Sequence, residues 1–371
     1  MKKSFPVILI GILFLFAGCK KSSSDNIIND SNDPKYDLVK ASLTVPPFDT
    51  ADVTALVPLG NLNPPAHTFP TDHMYFYCFT SKASLNIKSP GNIHVLRIGR
   101  THYNAGLAND HYDYTIVLGS DSSNMYWGHV SALSTRLLTA VNNFIGANCG
   151  TPYSTGGSTY QQCFVPVSLE ATPGEILGIA NTNNGLAGLD LGVSIKNLGA
   201  NPLDYFDAAA RALMEPKLGS FDGKTKRTVA PIYGEFLLDK PGTAQGNWYM
   251  GIIQKGSEDN NIALVPDNVI PSQLAFSVGN SVIGLKSSVY YFDTQNSGFI
   301  NRKFTDVIPD GNTYCYSLGY PNFPYTGNTL IPNTSMIIKL ENANSLSVEK
   351  RNCDCSCTPY MFTSNKVSYI R

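Results

Sequence analysis

Apolar and polar positions alternate with a period of two along most of the chain, in short runs closed by glycine, proline, asparagine or aspartate. Such runs are "HMYFYCF" (73–79), "IHVLRIG" (93–99), "DYTIVLG" (113–119) and "NMYWGHVS" (124–131). "CFVPVSL" (163–169), "EILGIA" (175–180) and "LDLGVSI" (189–195) follow. Alternation puts successive side chains on opposite faces, the signature of half-buried strands. Past "GKTKRTVAP" the pattern resumes with "IYGEFLL" (232–238), "GNWYMGIIQ", "NIALVPD", "LAFSVG", "SVYYFD", "TYCYSLG", "SMIIKLE" and "LSVEKRN". Only two stretches carry a helical period. "STRLLTAVNNFIG" sets Leu137, Leu138, Val141, Phe144 and Ile145 on one face. "LDYFDAAARALM" (203–214) has Asp204 as its predicted cap and Pro216 just past its end.

The expectation is therefore a mostly β protein with few short helices. A β domain over 40–200 leads through a helical connector (201–226) to a C-terminal β-sandwich or barrel-like domain (227–371). At 371 residues the chain is long enough for two such cores. Lys and Arg (27) nearly balance Asp and Glu (28), and charged residues are only 15% of the total. That balance gives no electrostatic basis for binding nucleic acid.

The first residues carry an address. Lys2 and Lys3 precede an apolar run from Val7 to Phe16, then Ala17, Gly18 and Cys19. This is an export signal, too short for a comfortable bilayer span. "LFAGC" resembles the lipobox of bacterial lipoproteins. The resemblance implies that residues 1–18 are removed and that Cys19 is acylated, holding the chain to a membrane. No aspartate follows Cys19, so the outer membrane is the expected location. The polar segment that continues to about residue 39 reads as a flexible tether.

Seven further cysteines fit an oxidising compartment: Cys78, Cys149, Cys163, Cys315, Cys353, Cys355 and Cys357. Cys149 and Cys163 flank "GTPYSTGGSTYQQ" and are a candidate disulfide. "CDCSC" (353–357) suits either disulfides or a soft metal, the disulfides being preferred. Cysteines two apart do not easily bond to each other, so their partners lie elsewhere, Cys315 among the candidates.

The remaining chemistry is in "HTFPTDHMYF" (67–76), where His67, Asp72 and His73 are residue types that zinc uses. Then come "SPGNIHVLRIG" (89–99), "DYTIVLGSDSSNMYWGHVSAL" (113–133) and "VSLEATPGEILGIANTNNGLAGLDLGVSI" (167–195). This succession resembles the lysostaphin-type zinc endopeptidases of bacterial cell walls over roughly residues 56–196. Carried over, the resemblance implies metal positions at His67, Asp72 and Asp190, with His129 as the catalytic histidine. His67 and Asp72 have four residues between them where the family has three. Gly188 stands where the family has a catalytic imidazole, and Asp190 where it has a metal-binding one.

Glycine can neither steady an oxyanion nor carry a proton, and losing one such group costs about 100- to 1,000-fold in rate. The expected function is accordingly a lipid-anchored envelope protein whose peptidase-like domain binds a wall peptide, a glycan or an envelope protein without cutting it. A zinc peptidase or amidase with an altered site is the alternative, and a structural surface protein is a third. No cofactor is expected unless that alternative holds.

Overall fold

The computed structural model describes residues 37–253, 257–322 and 326–371. The signal, Cys19 and most of the tether fall outside them. Among the described residues no helix is long and apolar enough to cross a membrane.

Among the described residues, the first half is built from thirteen strands. In chain order they are β1 (Ala55–Val57), β2 (His73–Phe79), β3 (Ser84–Lys88), β4 (Ile93–Tyr103), β5 (His111–Gly119) and β6 (Ser123–Val130). Then come β7 (Ala132–Leu133), β8 (Asn148–Cys149), β9 (Tyr153–Thr155), β10 (Ser158–Ala171), β11 (Ile176–Asn181), β12 (Leu186–Ile195) and β13 (Leu198–Ala200). A large antiparallel sheet runs β1-β2-β12-β6-β5-β4-β10-β8, with β13 on β12 and β9 on β10. A small sheet, β3-β11-β7, shares its core. The alternation explains the layering. Met74, Phe76, Ile98, Ile116, Leu118, Met125, Trp127, Leu189 and Leu191 are all buried in that core. The residues between them face the other way.

Eight further strands close a barrel in simple up-and-down order, the last pairing with the first. They are β14 (Gly246–Met250), β15 (Ile262–Pro266), β16 (Leu274–Val278), β17 (Ser288–Phe292), β18 (Tyr314–Pro321), β19 (Asn328–Asn342), β20 (Ser345–Arg351) and β21 (Val367–Ile370). Closure removes free edges. The interior is aromatic: Phe276 touches Phe292, Phe304 and Tyr316 with ring centroids 4.8–5.7 Å apart, and Trp248, Tyr290 and Tyr369 complete the filling. The sequence left a sandwich and a barrel open; the fold is the barrel.

Three local expectations are corrected. Helix α1 spans only Thr135–Ala140 because Asn142, Asn143 and Phe144 take positive φ of 42°, 55° and 61°. Leu137, Val141 and Phe144 are buried while Leu138 and Ile145 are exposed, so the single apolar face does not form. Helix α2 spans Ala208–Met214, and its cap is Asp207, whose carboxylate accepts from Ala210 N–H at 2.7 Å, not Asp204. "IYGEFLL" makes only an isolated bridge from Gly234 to Leu59, since Pro231 and a left-handed Gly234 (φ 82°) interrupt any ladder. The Arg227 guanidinium ties down the start of that segment, donating to Pro231 O and to Asn268 O.

The first half of the chain touches the barrel at Phe69. Its ring is buried against Tyr249 (centroids 4.9 Å) and Val265 on the outside of the barrel. Its N–H donates to Glu258 at 2.7 Å. The loop carrying His67 is thus pinned to the barrel. Burial pushes the Glu258 carboxyl up to about 7.

Truncating Phe276 to alanine is expected to cost about 3–5 kcal/mol, as for a fully buried ring in a packed core. Equilibrium denaturant unfolding checks this, and a cost under about 1 kcal/mol contradicts the packing described.

Candidate functional site

Beside the polar face of the large sheet lies a groove of about 1000 Å³. Its lining includes His67, Tyr75, Tyr77, Asp113, His129 and Asp190. Strand register makes the site. Asp190 of β12 sits opposite Tyr75 of β2 on one side and Gly128 of β6 on the other. Its flanking leucines, 189 and 191, point into the core, so its carboxylate points into the groove. Gly128 makes room for it: a Cβ there would meet Asp190 Oδ2 at 3.2 Å.

His129 reaches the same place through a bulge. The β5–β6 register skips between Tyr114 and Ile116, leaving Gly128 and His129 opposite Thr115 alone. His129 takes φ 59°, an uncommon conformation for a residue with a Cβ. The bulge turns its ring between two carboxylates. Nδ1 donates to Asp113 Oδ2 at 2.7 Å, and Nε2 lies 3.4 Å from Asp190 Oδ2. Tyr103 O–H donates to the same Asp113 oxygen at 2.8 Å. The Asp190 charge first, and then the Asp113 hydrogen bond, outweigh burial and push the His129 pKa up to about 9. The ring is therefore an imidazolium at neutral pH.

The loop residues divide differently from the family pattern. Asp72 is 58% exposed and stands behind His73, its Oδ1 3.1 Å from His73 Nδ1. His73 lies buried beneath the groove, on the strand face it shares with Tyr75 and Tyr77. Its Nε2 is buried, has no hydrogen-bond partner and lies 3.7 Å from Asp190 Oδ2. His67 packs edge-on against His73 (centroids 5.6 Å), and burial, more than any neighbour, pushes its pKa down. So His67, His73, His129 and Asp190 gather, while Asp72 orients His73. Among the described residues no three His, Cys, Asp or Glu side chains form a ready metal-binding group.

Tyr75, Tyr77 and Tyr126 pack around these charges, and burial drives all three phenols upward, Tyr77 to about 12. They remain protonated donors at any physiological pH. Tyr126 lies flat across Gly192, where a Cβ would sit 2.1 Å from its ring, so the glycine is required. At Gly188 the case is opposite. A Cβ there meets nothing nearer than Tyr77 at 3.7 Å, so packing does not exclude a side chain at this position.

Of the other histidines, His111 lines the outer part of the groove, while His94 and His102 do not line it. His94 is buried in β4 with Nδ1 3.6 Å from Glu170. His102 is bonded to Asp110 at 2.7 Å and stacks on Tyr112, and His111 stacks on Tyr103. Asp113 and Tyr103 went unnoticed in the sequence. The available signal was Asp113 standing two residues from His111 on a polar strand face, which does not reveal a bulge on the neighbouring strand.

Cys149 and Cys163 form a disulfide, as do Cys315 and Cys355. Cys78 is a buried free thiol. No family model, no curated protein and no solved structure matches the chain.

The charge on His129 has a definite pH signature. Its folded pKa exceeds the ordinary 6.5, so its contribution to stability is complete below about 6.5 and is lost as pH rises through about 9. In an NMR titration of the histidine ring protons, Asp190→Asn is expected to lower the His129 pKa more than Asp113→Asn. A His129 pKa near 6.5 in the wild type contradicts the arrangement.

Proposed function

We propose that this chain is an outer-membrane-anchored envelope protein whose groove holds a saccharide-bearing wall peptide without cleaving it. The observation that carries the reading is the 3.4 Å contact between the His129 ring and the Asp190 carboxylate. An imidazolium held by two carboxylates cannot accept a proton at neutral pH, so His129 is unsuited to general-base work. Gly188 offers no second ring beside it. The same groups serve recognition well. Asp190 and the imidazolium meet hydroxyl, amide and amino groups, and the Tyr77 ring offers an aromatic surface for a sugar. The lipobox-like "LFAGC" supports anchoring at the membrane, and the polar tether supports reach toward the wall.

A second groove, of about 420 Å³, runs beside the barrel and shares Asn61, Leu62, Asn63 and Phe221 with the first. A linear polymer lying over His129 meets the barrel side of this shared wall next. That supports an extended ligand over a compact one.

The test is calorimetric titration of protein lacking residues 1–19 with a soluble disaccharide–peptide wall fragment. Binding is expected with the fragment's mass unchanged, and Asp190→Ala and Tyr77→Ala are each expected to weaken it about tenfold, or roughly 1.4 kcal/mol. Chelator-sensitive cleavage of a crosslinked fragment overturns the reading.

One observation favours a second reading, a divalent cation such as zinc. His73 Nε2 is buried without a hydrogen-bond partner and faces the Asp190 carboxylate across 3.7 Å, so in the Nδ1–H tautomer two acceptors oppose each other. A cation bridges such a pair, with His67, His73 and Asp190 as its holders and Asp72 orienting the ring. A bound zinc would supply a Lewis acid that polarises a carbonyl. On this reading, chelator-treated protein takes up one zinc per chain, His73→Ala abolishes uptake, and Asp72→Ala weakens it about 10- to 100-fold. Elemental analysis and zinc titration decide the matter.

A further inference from the structure

The C-terminal "CDCSC" segment holds chemistry that neither the groove nor the two existing disulfides use. Cys355, the middle residue, is bonded to Cys315 and buried beneath Tyr360 and Phe362, which anchors the segment to the barrel wall. Its neighbours Cys353 and Cys357 are partly exposed free thiols. They are not scattered. Each lies close enough to act on the other, and Cys353 is the largest influence on the Cys357 thiol.

The backbone between them is a closed turn. Cys357 N–H donates to Asp354 O at 3.3 Å, and Ser356 N–H donates to the Asp354 carboxylate at 2.9 Å. Both ends are fastened to barrel strands: Ser335 Oγ–H donates to Cys353 O at 2.7 Å, and Arg351 Nη1 donates to Cys357 O at 2.6 Å. Four residues apart across a turn that is pinned at both ends, the pair is placed where a short-loop disulfide can close. Neither thiol can easily reach Cys355, two residues away and already bonded.

We propose that Cys353 and Cys357 are a third disulfide site, closed by thiol–disulfide exchange with an oxidising dithiol–disulfide reagent of the compartment to which the chain is exported. One thiol loses its proton, and its sulfur attacks the reagent's disulfide to give a mixed disulfide. The second thiolate then displaces the reagent's remaining sulfur. The Cys353–Cys357 bond forms, two electrons and two protons pass to the reagent, and the reagent leaves as a dithiol.

The surroundings favour a structural bond over a metal site. Redox-active and metal-binding cysteines sit where positive charge lowers the thiol pKa. Here the Cys357 thiol is pushed upward, by Cys353 first and then by slight burial and the Asp354 carboxylate, with Arg351 opposing only in part. The two disulfides already present, Cys149–Cys163 and Cys315–Cys355, show a chain whose cysteines are placed for oxidation.

The test is thiol alkylation of the full exported protein under denaturing, non-reducing conditions, followed by peptide mapping. The expected result is no label on Cys353 or Cys357 and a peptide lighter by two hydrogens that contains both. Cys353→Ser is expected to expose one new alkylatable thiol, Cys357, with Cys315–Cys355 intact. Because this readout is chemical, it holds whether or not the variant loses stability. Labelling of both thiols, pairing of either with Cys315 or Cys78, or protection that a chelator removes each overturns the proposal, the last in favour of a thiolate-bound metal.

Discussion

The register of β12 between β2 and β6 is the constraint that creates the site. It sets Asp190 in line with Tyr75 and Gly128 and sends Leu189 and Leu191 into the core. A slip of one residue would bury the carboxylate among Met74, Phe76 and Trp127 and turn two leucines toward solvent. Charge burial without a partner costs several kcal/mol. The polar centre is therefore held in place by the apolar residues on either side of it. Its own interactions do not need to be strong.

Given that register, the bulge at His129 is what converts a polar strand face into a site. A histidine continuing the regular ladder would place its ring according to strand alternation alone. The positive φ at His129 instead turns the ring between Asp113 and Asp190. Backbone in this region costs on the order of 1 kcal/mol or more for a residue with a Cβ, and it persists because two carboxylates hold the ring. The barrel completes the geometry from the other side. Phe69 and Glu258 fix the loop from which His67 and His73 enter. Asp259 accepts from Thr155 O–H and Gly156 N–H, fixing a second loop of the first sheet. The positions of the groove residues thus depend on contacts spread over nearly the whole chain.

What was legible in the sequence is what local signals carry. Strand alternation is local, and so the mostly β fold and the core faces of "HMYFYCF" and "LDLGVSI" could be read directly. His67, His129 and Asp190 were picked out by their order along the chain, and they do converge. What failed depends on tertiary context. The apolar spacing of 137–145 promised a longer helix, but Phe144 is buried through three left-handed residues that no periodicity reveals. Asp72 and His73 are adjacent, so only the pleat decides which of the two lies beneath the groove. It is His73, at 10% exposure, with Asp72 behind it. Asp113 has no motif of its own and gains its role from a bulge on another strand.

Whether such a site cuts or holds turns on where protons reside at rest. A hydrolytic centre needs a group poised near neutrality that can take a proton and return it. At His129 the balance has gone the other way. Asp190 and Asp113 together stabilise the protonated ring more than burial opposes it, and the ring is filled before any substrate arrives. Removing either carboxylate would free the base but also take from the groove the charge available to a ligand. In this geometry base strength and recognition compete for the same two carboxylates. Gly188, which packing does not require, leaves the position beside Asp190 without the second imidazole that would separate the two tasks. On the function proposed above, a centre that resolves this competition toward charge favours holding a ligand over cutting it.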